Sequence, residues 1–260
     1  RFRQSVLAAA TSGRLTEDWR HQRGKQWSPT LKKVSDIGDV VTGNTPSKKI
    51  DDAFGGQWLF VKPGDLDLGY RVLDTSEKLT DLGAGMSRVL PELTVLVTCI
   101  GATIGKTGLL RRSGATNQQI NAVVCKGTVL PEWLYFWFSS PIGQSAVIEN
   151  SSATTLPILN KSRFSALELE IPSIDEQTEI VRRVETLFAF ADRLEARLAQ
   201  AQTAATRLTP ALLAKAFRGE LVPQDPNDEP AAELLRRLLA ERASAPKAST
   251  GRGRKAAVQV

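Results

Sequence analysis

Histidine is nearly missing from this chain: His21 stands alone among 260 residues. A Ser–His–Asp or Cys–His relay needs an imidazole beside its nucleophile, and zinc sites gather His and Cys in clusters, so both are close to excluded. Cysteine is also scarce. Cys99 and Cys125 lie in apolar, strand-like runs without further ligands nearby in sequence, and they read as reduced core thiols of a cytosolic protein. No apolar run reaches the ~20 residues of a membrane span, and no secretory signal opens the chain, so a cytoplasmic location is expected. The chain begins with Arg1, which we read as the mark of a piece of a longer protein. A complete nucleotide loop is missing as well. "GATIGKTG" (Gly101–Gly108) looks like one, but a phosphate cradle needs the spacing Gly-x-x-x-x-Gly-Lys, and here only Ala102, Thr103 and Ile104 separate Gly101 from Gly105. "TVLVTCI" before it reads as a strand, yet no helical periodicity follows. No nucleotide site is expected there.

What is present is ordinary in bulk. Hydrophobic residues make up 42% and charged residues 24%, as in soluble globular proteins, and the length allows one large domain or two modest ones. Charge is unevenly spread. Residues 1–50 carry net +6, residues 51–167 balance, residues 168–241 carry −5, and residues 242–260 carry +5. Basic regions attract polyanions, whereas an acidic arm more often meets protein or water.

Short β-rich runs fill the region from about Trp27 to Pro172: "DIGDVVTG", "QWLFVKPGDL", "LTVLVTCI", "KTGLL" and "QQINAVVCKG", separated by Gly, Pro and Asn. "LPEWLYFWFSS" places Pro131 at a helix start with Trp133, Leu134, Phe136 and Trp137 on a broad apolar face, which predicts a core helix. "SPIGQSAVIEN" predicts a second, and "ALELEIP" alternates like a half-buried strand. The body is therefore expected to be α+β. From Ile180 the apolar positions change to Ile180, Val184, Leu187, Ala191, Leu194, Leu198, Ala201, Ala205, Leu208 and Leu212, the alternating spacing of a coiled-coil seam. Asp175, Glu176 and Glu179 suit the start of such a helix. Glu170, Asp175 and Glu176 need no catalytic role beyond that. Pro210 is expected to kink or restart it. Helix-pairing positions are thus Ile180, Val184, Leu187, Leu194, Leu198, Leu208 and Leu212.

The two ends resemble each other. "RFRQSVLAAATSGRLTEDW" (Arg1–Trp19) aligns without gaps to "RLTPALLAKAFRGELVPQD" (Arg207–Asp225), sharing Leu7/Leu213, Ala8/Ala214, Ala10/Ala216, Gly13/Gly219 and Leu15/Leu221. Each reads as a helix stopped by a C-terminal glycine. The chain then spans one period of a repeated unit.

Five motifs in order resemble the DNA specificity subunits of type I restriction–modification systems, in particular their C-terminal half. They are "WSPTLKKVSDIGDVVTGNTPSK", "GATIGKTG", "TNQQINAV", "LELEIPSIDEQTEIVRRVE" and "LLAKAFRGELVPQDPNDEPA". The resemblance implies a helical tail at 1–20, a target recognition domain at 21–172, a long spacer and dimerisation helix with its kinked continuation at 173–222, and a short helical segment at 223–241. A disordered basic tail is expected at 242–260. It implies a non-catalytic chain without a cofactor of its own that reads half of a split double-stranded DNA target. Methylation would come from modification subunits using S-adenosylmethionine, and cleavage from an ATP-driven restriction/translocase subunit. The long helix would pair with the other half of the subunit or with a second copy.

Expected DNA contacts fall into two groups. Asn44, Thr45, Ser47, Lys48 and Lys49 form a polar turn suited to phosphate, as does Lys106; Arg111, Arg112 and Asn117 are further candidates. Gln118 and Gln119 belong to a shared motif, and a residue common to many specificities cannot encode one of them, so scaffold duty is expected. Base reading is expected from Lys62, Asp65, Asp67, Tyr70, Arg71, Ser87 and Arg88, with Asn150–Thr155, Asn160 and Lys161 also within the polar loops. Rival readings are a half-size specificity subunit acting as a homodimer, the recognition region of a fused restriction–methyltransferase, and an oligomerising coiled coil that does not bind DNA.

Overall fold

The computed structural model describes residues 1–47, 49–152, 156–223, 225, 227 and 229–244. They divide into two units, Arg1–Leu194 and Glu195–Val260.

In the first unit the apolar runs become strands, and those at 95–98, 107–109 and 114–116 are buried on both faces. In chain order the strands are β1 (Thr30–Lys33), β2 (Gly38–Thr42), β3 (Phe54–Val61), β4 (Glu77–Leu79), β5 (Val95–Thr98), β6 (Thr107–Leu109), β7 (Gly114–Thr116), β8 (Ile120–Cys125) and β9 (Glu168–Ile171). The central sheet has the order β2-β8-β5-β6 and is antiparallel throughout. A second sheet has the order β4-β3-β7, with β3 antiparallel to β4 and parallel to β7. β1 and β9 pair separately.

Side chains alternate across a strand, so "TVLVTCI" must serve two cores at once. Val95 and Val97 join one cluster with Val123, Trp133, Phe136 and Phe138, while Leu96 joins Leu59, Val61, Ile120 and Ala122 on the other side. The aromatic helix Pro131–Ser139 covers the first face through Trp133, Leu134, Phe136, Trp137 and Phe138, and α1 (Phe2–Thr11) packs on it and on the following helix at 141–149, adding Val6, Leu7 and Ala10 to the same core, all buried. Each large side chain so buried is worth about 1.5–3 kcal/mol. The expected core helix and the strands at 95–98, 107–109, 120–125 and 168–171 are all present.

Shorter helices complete this unit: α2 (Glu17–His21), α3 (Val34–Ile37), α4 (Asp81–Gly85), then the aromatic helix as α5, α6 (Pro141–Glu149) and α7 (Lys161–Ser165). The long helix α8 spans Ile174–Phe217 and carries Pro210 without a break in the helix, so the expected restart does not occur. α9 spans Ala231–Ser244, so Arg242–Ser244 are helical where a disordered tail was expected; residues 245–260 lie outside the described ones.

Two adjacent side chains anchor the start of α8. Glu176 is buried and accepts from Thr16 Oγ1 at 2.6 Å and from the Arg20 guanidinium, which also donates to the Gly13 carbonyl at 2.7 Å. Gln177 is fully buried. Its Oε1 accepts from the Leu130 N–H at 2.8 Å, and its Nε2 donates to the carbonyls of Thr128 (3.2 Å) and Pro172 (2.9 Å). Arg183 reaches Asp18 at 2.6 Å, and Arg3 reaches Asp192 at 2.7 Å. The pairs run in opposite chain directions, so α1–α2 lie antiparallel to the beginning of α8. This packing corrects one expectation. Ile180 and Val184 are buried in the chain's own core, and Leu187 packs against it, because the same spacing of three and four that makes a coiled-coil seam also makes a stripe facing a domain. Leu194 is 47% exposed.

In the second unit Leu198, Leu208 and Leu212 are exposed. The end repeat has a local counterpart. α1 stops at Thr11 and α8 at the aligned Phe217, and Gly13 and Gly219 follow with φ of +75° and +71°. Only glycine takes that conformation without strain.

Candidate nucleic-acid interface

The loop "GATIGKTG" is the connection of the β5–β6 hairpin. Val97 pairs with Thr107, Thr98 N–H donates to the Lys106 carbonyl at 2.8 Å, and Gly105 N–H donates back to Thr98 at 2.9 Å. Gly101 and Gly105 sit at φ +100° and +87°, and Gln144 Nε2 holds the Gly105 carbonyl at 2.8 Å. A phosphate loop leads from strand into helix; this one returns into a strand. Lys106 pairs with Asp67 at 2.6 Å.

The turn after β2 is docked on the segment before β8. Gly43 N–H donates to the Ile120 carbonyl at 3.1 Å, and a Cβ at Gly43 would meet the Thr116 and Asn117 carbonyl oxygens at 2.3 Å, so no side chain fits there. Thr42 Oγ1 donates to Asn121 Oδ1 at 2.6 Å, and Thr45 Oγ1 to Gln118 Oε1 at 2.7 Å. Asn44 bonds a third segment: its Nδ2 donates to the Met86 carbonyl at 2.9 Å, and its Oδ1 accepts from the Arg88 N–H at 3.0 Å. Arg88 Nη1 donates to the Thr42 carbonyl at 2.5 Å. Residues 42–47, 49, 86–89 and 117–119 thus form one surface. Thr45, Ser47, Lys49, Met86, Arg88, Val89 and Gln118 are exposed on it. Lys48 lies outside the described residues.

Other candidates are engaged elsewhere. Lys62 pairs with Glu77 at 2.7 Å, and its N–H donates to Asp65. Tyr70 stacks on Phe136 at 5.0 Å and donates to Glu185 at 2.7 Å; burial and that carboxylate raise its pKa well above the usual phenol range. Arg111 lies over the Tyr70 ring at 4.4 Å, donates to the Tyr70 carbonyl at 3.1 Å and faces Glu132. Asn117 is buried and closes a turn with Gln119 through bonds of 3.0 and 3.1 Å. The Ser87 hydroxyl is buried. Asn150, Ser151 and Asn160 bond nearby backbone, Asn160 as the cap of α7, and residues 153–155 lie outside the described ones. Arg71, Arg112 and Lys161 are exposed. Burial pushes both thiols up to about 12, so neither Cys99 nor Cys125 is a thiolate near neutrality.

Sequence reasoning did not single out Met86, Val89 or Gln177. Spacing gives no sign of the first two; Gln177 follows the helix-start acids in a quoted motif, which was the available signal.

Residues 27–202 match the family model described as the type I restriction modification DNA specificity domain. The chain belongs to this family. Among curated specificity-domain proteins, it is 33% identical to the type I restriction enzyme EcoBI specificity subunit of Escherichia coli, over 94% of this chain and 56% of that one. It is 30% identical to the MjaIX specificity subunit of Methanocaldococcus jannaschii, over 65% and 37%. The chain spans about half the length of the curated relatives it matches across most of its own length. The fold is shared with the HsdS subunit from Thermoanaerobacter tengcongensis (TM-score 0.54, 18% identity, 85% of this chain and 54% of that one). A chain from a structure of a type I R-M system, solved to describe its assembly and conformational transition, gives a TM-score of 0.61 at 18% identity, over 85% and 55%. This specificity-domain fold is the α+β body with its long helix.

Proposed function

We propose that this chain reads one part of a bipartite double-stranded DNA target for a type I restriction–modification assembly and performs no chemistry itself. Methyl transfer and cleavage then belong to separate modification and restriction/translocase subunits, which this chain positions on DNA. The observation that carries the reading is the match of residues 27–202 to a DNA specificity domain. The surface built by residues 42–47, 49, 86–89 and 117–119 supports it. Lys49 and Arg88 are exposed there and form no salt bridge among the described residues, whereas Lys62, Lys106 and Arg111 each face a carboxylate. Cations without acidic partners are what phosphate and base edges require. Arg71, Arg112 and Lys161 extend the set. The exposed Leu194, Leu198, Leu208 and Leu212 support pairing of α8 with a matching helix, in the rest of a longer subunit or in a second copy.

The test is DNA binding by the full chain across a salt series. Removing one phosphate contact, by Lys49→Ala or Lys161→Ala, is expected to weaken binding to all sequences and to lower the slope of log K against log salt by about 1. Binding that does not respond to salt refutes the proposal.

A further inference from the structure

Asn44 was expected in a turn suited to phosphate, and the amide edge of Asn also matches adenine N6 and N7. In this structure that edge faces protein. Its Nδ2 donates to the carbonyl of Met86 and its Oδ1 accepts from the N–H of Arg88, so one side chain holds the oxygen of one residue and the nitrogen two positions on. A neighbouring parallel strand makes the same pair of bonds, and the amide acts as a surrogate strand for the segment Met86–Arg88. Ser87, between the two bonds, turns its hydroxyl inward.

Arg88 faces the other way. It is exposed, and its guanidinium is fixed at Nη1 by the Thr42 carbonyl, while Nε and Nη2 bond nothing among the described residues. Asn44 therefore holds the backbone of Arg88 and Thr42 holds its tip, and both anchors sit on one turn. That turn is itself locked, because Gly43 lies against the Thr116 and Asn117 carbonyls and Thr45 bonds Gln118. A planar fork held at both ends loses little freedom on binding, which suits bidentate recognition of guanine O6 and N7. Met86 and Val89, each 42% exposed, flank it with apolar surface.

Building on the DNA-reading proposal, we infer that Arg88 reads one guanine of the target in the major groove and that Asn44 is a positioning residue that presents it. The two side chains act on the same base pair, one directly and one through the backbone.

The experiment selects duplexes from a randomised library with the full chain as wild type, Asn44→Ala, Arg88→Ala and the double variant. Amide hydrogen exchange at residue 88 is followed in the wild type and in Asn44→Ala. Arg88→Ala is expected to reduce discrimination at one guanine by about 5- to 150-fold. Asn44→Ala is expected to weaken preference at that same guanine and to speed exchange of the Arg88 amide, and the double variant to lose no more than Arg88→Ala alone. Relaxation at a separate adenine in Asn44→Ala, with the two effects multiplying, overturns the inference; so does an unchanged motif in Arg88→Ala. Should Asn44→Ala fail to fold, Arg88→Ala still decides whether a guanine is read, and an unprotected Arg88 amide in the wild type refutes the clamp. A wild type that enriches no sequence defeats the DNA-reading proposal itself, and this inference with it.

Discussion

Glu176→Ala removes the carboxylate from a site where the guanidinium cannot reach water. The side chains of Arg20 and Glu176 are 9% and 7% exposed. After the substitution Arg20 keeps the Gly13 carbonyl and, at 3.1 Å, the Thr16 hydroxyl, but its charge is left uncompensated in the interior. Breaking a buried pair on one side costs about 3–5 kcal/mol, and the two remaining acceptors argue for the lower part of that range. For a unit of this size each kcal/mol moves Tm by about 2–4 °C, so a fall of roughly 6–16 °C is expected. Asp175 is the internal control. It is the preceding residue, its side chain is 70% exposed, and Lys25 stands 3.9 Å away, so Asp175→Ala should cost less than about 1 kcal/mol. Replacing both partners, Arg20→Met with Glu176→Leu, should regain most of the loss, since apolar packing replaces a buried pair at little cost. Urea unfolding and calorimetry measure all three. If Glu176→Ala and Asp175→Ala destabilise equally, the account of α8 as locked through this pair is wrong.

Replacing Leu194 and Leu198 with Glu should leave the fold intact, because both side chains are exposed, and should weaken self-association by about 100-fold; sedimentation showing an unchanged mass distribution refutes a pairing seam. Acid should destabilise the first turns of α8, where Glu179 pairs with Arg182 and Arg183 of the same helix, and weaken the Asp18–Arg183 pair that ties α8 to α2. Hydrogen bonds from Arg182 and then Arg183 pull the carboxyl of Glu179 down to about 2 against the opposing effect of burial, and the Arg183 hydrogen bond lowers Asp18 as well. Because the folded value lies below the ordinary 4.5, the stabilisation is complete above that pH and is lost as pH falls toward about 2. Tm followed from pH 6 downward should drop less steeply in Glu179→Gln than in the wild type, and parallel acid limbs would contradict the assignment.

The parts of the fold that were legible in sequence are those fixed by short-range pattern. Pro131 with the aromatic stripe behind it, the apolar run at 94–100 and the paired Gly13 and Gly219 each state their conformation within a few residues. The candidate surface was less legible, because what decides whether a cation is available is its partner. Lys106 is neutralised by a residue 39 positions away and Lys62 by one 15 positions away, while Tyr70 is drawn to Glu185 on α8. Nor does the spacing of Ile180 and Val184 reveal whether a stripe faces its own domain or another helix. The inward aim of Asn44 belongs to the same class: a polar residue in a polar turn looks available until the segment at 86–88 is folded against it.

The adjacent anchors at the start of α8 have a mechanical consequence. Neighbouring helical residues point about 100° apart around the axis. Glu176 grips the N-terminal segment and Gln177 grips the loop at 128–130, so two walls hold the helix at two different angles. A single contact would let the helix roll; two at that angle key it like a shaft. The direction in which Leu187, Phe190 and Leu194 face is then set at residues 176–177, before any partner arrives. One residue inserted just after Gln177 would turn everything up to Leu194 by about 100°, moving Val184 out of the core it fills, while seven residues would nearly restore the angle. The helix is thus tolerant of changes in its length only in steps that return it to phase.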